Sequence, residues 1–157
     1  MEPTIVALEP RILVGMRIQT TLSADPSLLW KRFKPRVKTI ENRLDTDFYS
    51  VHVYEAGTTF ETFTPNTLFE KWAAVAVSNM NSIPEDMAVL TLPAGLYAVF
   101  VHRGLSSGYA QTAQYIFETW VPTAGYRVDE RPHFDIFGAD YRLDDPDAME
   151  EIWVPIV

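Results

Sequence analysis

The sequence predicts an α+β domain. Its expected form is a tandem pseudo-twofold repeat of two strand-helix-strand-strand modules, with an antiparallel sheet and helices packed on one face. Three observations lead there. Shifting the chain by 81 residues aligns His52–Trp72 with His133–Trp153, and five of the 21 positions are identical without a gap. They are His52/His133, Gly57/Gly138, Pro65/Pro146, Glu70/Glu151 and Trp72/Trp153; average composition gives roughly one such match by chance. The expected helix starts, Asp25 and Ser106, are also 81 residues apart. The order of period-two and helical segments is similar in the two halves, and a repeat decides the architecture before local patterns do.

The elements follow in order. Residues 11–21 read as a strand, and Asp25-Pro26 then supplies an N-cap with proline at the first helical position. Leu29, Phe33, Val37, Ile40 and Leu44 recur at helical spacing, with a kink expected at Pro35. Residues 48–55 and 67–77 are expected strands, separated by a turn-rich patch. The polar, proline-bearing run 78–86 links the halves, so a single domain over 1–157 divides into about 1–77 and about 87–157. In the second half, 87–92 and 95–102 are strands around the turn Pro93-Ala94-Gly95. Ser106 or Ser107 caps a helix whose apolar face is Ala113, Ile116, Phe117, Trp120 and Val121, and Pro122 and Gly125 stop it. Residues 133–138 and 150–157 are the closing strands.

Composition narrows the function. At 157 residues and 47% hydrophobic content, one domain can bury a sizeable core. No apolar run approaches the length needed to span a bilayer, and the N-terminus lacks the pattern of a signal peptide. No cysteine is present, which fits a reducing cytoplasm and rules out disulfides and thiolate metal sites. The net charge of −8 disfavours direct nucleic-acid binding and favours cationic partners at short range. Lys31, Arg32, Lys34, Arg36 and Lys38 make the first helix basic, which a solvated face explains.

The last strand carries the most chemistry. Ile152, Val154 and Ile156 share one face; Glu151, Trp153 and Pro155 share the other. Glu70 and Trp72 share a parity in the same way. An acid beside large rings is a plausible lining for a cation, which gains about 0.5–2 kcal/mol from each ring face it covers. The alternative is a solvated Glu151 beside a core Trp153. Gly104-Leu105-Ser106-Ser107-Gly108 matches a hydrolase nucleophile turn, but that fold needs several crossover helices, and a helix-capping turn explains the residues. His52, His102 and His133 lack the spacing of a metal site. Arg131 is expected to pair locally with Asp129 or Glu130.

Four runs carry a family resemblance: residues 92–100, Trp120-Val121-Pro122, residues 129–134, and Glu150-Glu151-Ile152-Trp153-Val154-Pro155-Ile156, with Phe69-Glu70-Lys71-Trp72-Ala73 matching in the first half. The chain resembles the GyrI-like (gyrase-inhibitor-like) small-molecule-binding family, also known as the effector-binding domain of AraC- and MerR-type multidrug regulators. The resemblance implies two modules around an aromatic cleft with one buried acid, at the position of Glu151. It resembles the stand-alone members, which include ligand-binding proteins, a gyrase inhibitor, and hydrolases of cyclopropane-bearing genotoxic compounds. The expected function is therefore a cytoplasmic module that binds amphipathic, cationic small molecules without a cofactor. Glu151 is the expected charge partner, and Trp72, Trp153, Tyr54, Tyr97 and Phe137 are the candidate aromatic wall. A hydrolase using Glu151 as general acid/base and a gyrase-restraining protein module are the alternatives.

Overall fold

A computed structural model describes residues 1–59 and 62–157. Residues 60 and 61, within the expected turn-rich patch, lie outside the described residues. Eight strands form one curled antiparallel sheet: β1 (Thr4–Leu8), β2 (Arg11–Thr20), β3 (Phe48–Val53), β4 (Phe69–Val77), β5 (Ala88–Leu92), β6 (Gly95–Arg103), β7 (His133–Phe137) and β8 (Met149–Ile156). Their order across the sheet is β1-β6-β8-β7-β3-β4-β2-β5. The mostly antiparallel α+β architecture is as expected.

The order forces the sheet to roll. β1 and β2 are six places apart, a distance of about 29 Å in a flat sheet. Only Glu9 and Pro10 separate them in the chain, and that reach is about 10 Å. Pro93 and Ala94 impose the same limit between β5 and β6. The two sheet edges therefore curl toward each other around an inner layer. Leu8, Leu13, Tyr49, Val51, Trp72, Leu92, Tyr97, Phe134 and Trp153 fill it, all at most 8% exposed. Gly15 keeps β2 close to β4, since a Cβ there would sit 2.0 Å from the Ala73 carbonyl oxygen.

The helices cover the outer face. α1 (Ser27–Phe33) continues as a 3-10 turn over Lys34–Thr39. The Asp25 carboxylate accepts the Ser27 N–H at 2.9 Å, just ahead of the helix. Leu29 and Phe33 pack on Val14, Ala73, Val75 and Val77. The helix is shorter than its spacing implied: Pro35 opens the tighter turn, Ile40 is extended, and Leu44 is exposed. α2 (Tyr109–Gln114) passes through a π-helical segment, Tyr115–Trp120, into α3 (Val121–Thr123). Pro122 has no N–H to offer Glu118, and the ladder slips to the wider spacing just before it. Pro122 therefore does not stop the helix, which ends before Gly125, at φ +80°. Ile116 lies buried under this helix on Ala98, Phe100, Ile152, Val154 and Ile156. Neither Ser106 nor Ser107 caps it: they lie in the 3-10 turn Ser106–Gly108, which follows Leu105 without a side-chain cap.

β1 is an element the sequence reading lacked. It pairs with β6, while β5 pairs with β2, so each half lends a strand to the other. The Pro93-Ala94-Gly95 corner thus joins two strands that do not pair with each other. No helix among the described residues is long and apolar enough to cross a membrane.

Candidate functional site

The sequence echo falls at defined places in the sheet. His52 and His133 are direct partners across the β3–β7 seam. Glu70 and Trp72 stand on β4, and Glu151 and Trp153 on β8. In both pairs the indole reaches back to the acid. Trp72 Nε1 donates to Glu70 Oε1 at 2.6 Å, and Trp153 Nε1 donates to Glu151 Oε1 at 3.3 Å. Parity explains both bonds, because residues i and i+2 of a strand share a face. Each tryptophan buries its rings in the inner layer and fixes a carboxylate at its rim.

Beside Glu151 the surface opens. A hollow of about 320 Å³ at the ends of β7 and β8 is lined by Asp47, Val101, Ile136, Phe137, Gly138, Met149, Glu150 and Glu151. Three carboxylates thus meet apolar side chains. Burial pushes the Glu150 carboxyl up, opposed by His102, the Tyr141 hydroxyl and Lys71. Burial and the nearby Asp45 charge raise that of Asp47. A larger hollow of about 500 Å³ adjoins it through Val101, but its lining includes Arg103 and no carboxylate. The smaller one suits a cation better.

Next to Glu150, on the outer face between the helices, lies a sunken polar cluster. The Asp135 carboxyl is pushed up to about 8 by burial and by the Glu150 charge, although it accepts the Tyr109 hydroxyl at 2.8 Å and lies near Lys71. Burial moves His52 down to about 3, helped by Lys71 and His133. Burial and Arg131 move His133 down to about 4. Both imidazoles are neutral at ordinary pH. Burial also lowers Lys71 and raises Tyr54 and Tyr109. The parity that puts Glu151 inside puts Asp135, His52, His133 and Glu150 outside.

The six expected ligand residues divide among three places. Glu151 and Phe137 line the 320 Å³ hollow. Trp72, Trp153 and Tyr97 belong to the inner layer, exposed by 1%, 8% and 0%. Tyr54 lies apart, its ring against His52, Phe69 and His133. Phe137 turns its ring to the outer face, against Trp30 and Phe48. Asp47, Glu150 and Asp135 were missed. Glu150 carried a signal: it shares the face of Ile152, Val154 and Ile156, so that face is not purely apolar, and Glu150 is only 8% exposed. Asp135, a lone acid in His-Phe-Asp-Ile-Phe, carried another. The histidines form no metal cluster with acids among the described residues. His102 instead faces Thr112 and the Leu105 carbonyl, at 2.8 and 3.0 Å. Arg131 is more than a surface partner: it donates to Asp129 and to the Leu96 and Ile156 carbonyls and stacks over Tyr97.

A rolled sheet with two outer helices and an acid-lined hollow defines an α+β domain of ligand-binding type. The chain belongs to the family of GyrI-like small molecule binding domains, which it matches over residues 1–157. It is 26% identical to the transcriptional regulator BrlR of Pseudomonas aeruginosa over 99% of its own length and 56% of that protein. The chain thus spans about half of this curated relative. Among solved structures, SAV2435 bound to tetraphenylphosphonium superposes with a TM-score of 0.77 at 18% identity, covering 100% of this chain and 94% of that one. EcmrR in a complex with DNA gives 0.74 at 15% identity, covering 99% and 57%. A hydrolase encoded by lin2189 from Listeria innocua gives 0.63 at 11% identity, covering 99% and 92%. These three likenesses concern the fold.

Proposed function

We propose that this domain binds amphipathic cationic small molecules without transforming them, in the hollow beside Glu151. The observation that carries the reading is the lining itself: Asp47, Glu150 and Glu151 beside Val101, Ile136, Phe137 and Met149. Its volume lies at the lower end of the usual range for ligand pockets. Carboxylates there attract a cation, and the apolar side chains take its lipophilic body. Trp153 acts from behind by orienting Glu151, rather than as a wall. The tetraphenylphosphonium held by SAV2435 is a lipophilic cation, and it is the natural probe. Titration of this cation by isothermal calorimetry is expected to give one site per chain, with affinity about tenfold weaker in Glu151→Gln. Binding unchanged in that variant would overturn the role of Glu151.

The tandem pseudo-twofold repeat is part of the same proposal. Two features support it. Exchanging β1–β4 with β5–β8 reproduces the strand order read from the opposite edge. The indole-to-carboxylate bond also occurs once in each half.

A hydrolytic second reading draws on one observation. Glu151 lines the same hollow, where it would act as general acid/base, orienting a water toward an electrophilic carbon of the bound substrate. Incubation with a cyclopropane-bearing alkylator, followed by mass spectrometry, tests it. Product formation lost in Glu151→Gln supports this reading; no product at high protein concentration removes it.

A further inference from the structure

The two Glu-x-Trp pairs differ in what stands opposite them. On β2, Arg17 is the ladder partner of Trp72 and Gln19 that of Glu70. On β6, the corresponding partners of Trp153 and Glu151 are Val99 and Val101. Arg17 uses its position. Its guanidinium carbon lies 5.5 Å from the centre of the Trp72 ring system, and its Nη1 is 3.9 Å from Glu70 Oε2. An arginine over an indole beside a carboxylate is a cation already in place at the first pair. In the second half neither valine offers a charge, Val101 is 45% exposed, and Val101 and Glu151 line the hollow. Among the described residues, no cation lies over Trp153.

We propose that Glu70 and Trp72 form a second, masked cation site that Arg17 occupies as a built-in substitute ligand. This rests on the reading that Glu151 and its surroundings take a cation. The masking is weak in kind: the Arg17 side chain is 57% exposed and that of Glu70 27%, and the separation of 3.9 Å is long for an ion pair. The chain holds Arg17 in place through the ladder more than through the pair. Removing the guanidinium uncovers one acid and one ring face, without disturbing the buried body of Trp72.

The variant Arg17→Met keeps an apolar stem of similar length and removes the charge. Tetraphenylphosphonium is titrated by isothermal calorimetry into the parent, Arg17→Met, and Arg17→Met combined with Glu70→Gln. The expected stoichiometries are one, two and one per chain, with the added site about tenfold weaker than the first because it has no hollow around it. Circular dichroism confirms that each variant is folded. An Arg17→Met protein that still binds one cation per chain overturns the masked site while leaving the open site standing. A second site that survives Glu70→Gln overturns it as well. Silence in the parent with binding in Arg17→Met keeps the masked site and refutes the open one, and silence in both refutes both.

Discussion

Replacing Glu150 and Glu151 together by glutamine is expected to reduce tetraphenylphosphonium affinity by about a hundredfold, more than either change alone. A charged partner lost from a partly buried site costs about 1.5–3 kcal/mol, and each 1.4 kcal/mol is tenfold. Glutamine keeps the volume, and at position 150 it can still accept the Tyr141 hydroxyl, which lies 3.3 Å away. The loss therefore reports charge rather than collapse. Acid should imitate the variant. Burial raises the carboxyls of Glu150 and Asp47, so they take up protons at higher pH than ordinary carboxyls do. Affinity is expected to fall on acidification, beginning at higher pH than ordinary carboxyls would give, and to fall much less in the double variant. Calorimetric titration at several pH values measures both. Equal affinity in parent and double variant at neutral pH would end the electrostatic account.

The second large effect concerns stability. The Asp135 carboxyl rises from 3.8 to about 8 on folding, so the folded chain holds this proton more tightly than the unfolded chain. Its contribution to stability is present at low pH and is lost as pH climbs from about 4 to about 8. Asp135→Asn keeps an acceptor for Tyr109 and never acquires the charge. The variant is expected to gain about 1–3 kcal/mol over the parent between pH 5 and pH 9, discounted for the solvent that still reaches this carboxyl. His52 and His133 act in the opposite window. Their folded values lie below 6.5, so their contribution is lost as pH falls from 6.5 toward about 4 and about 3. Taking the difference between variant and parent by urea denaturation cancels that limb. A difference that does not change with pH would show that Asp135 is not buried as a neutral acid.

Much of the fold was legible because its signals are local. Apolar, β-branched and aromatic runs bounded by turn residues located seven of the eight strands to within about two residues, a usual boundary error. β1 escaped because Thr-Ile-Val-Ala-Leu is short and its partner lies some 90 residues away. Nothing in the sequence near Pro10 or Pro93 announces that the strands on either side belong to different parts of the sheet. Leu44 extended the helical pattern on paper, but the 3-10 turn after Pro35 had already rotated the face. The site was legible where parity governs it. Glu151 and Trp153 share a face as expected, and their hydrogen bond follows. Tyr54 and Phe137 failed to join Trp72 and Tyr97, since they share the parity of outward-facing His52 and Asp135, whereas Val51 and Phe134 are the inward-facing partners of Trp72 and Trp153. Asp135 and Glu150 meet Tyr109 and Tyr141 only in the folded chain, across contacts that no local pattern announces.

The traded strands have a consequence for how the chain reaches its native state. Because β1 completes the neighbourhood of β6 and β5 that of β2, neither half owns a finished sheet. A polypeptide ending near residue 80 would leave Trp72 and Tyr49 without the lid that the later segment provides. The molecule should therefore melt in one concerted step, and its assembly should wait on pairings between the two halves of the chain, which makes folding slow for its size. Two separately expressed fragments cut within residues 78–86 should each be poorly ordered, and regain structure only when mixed.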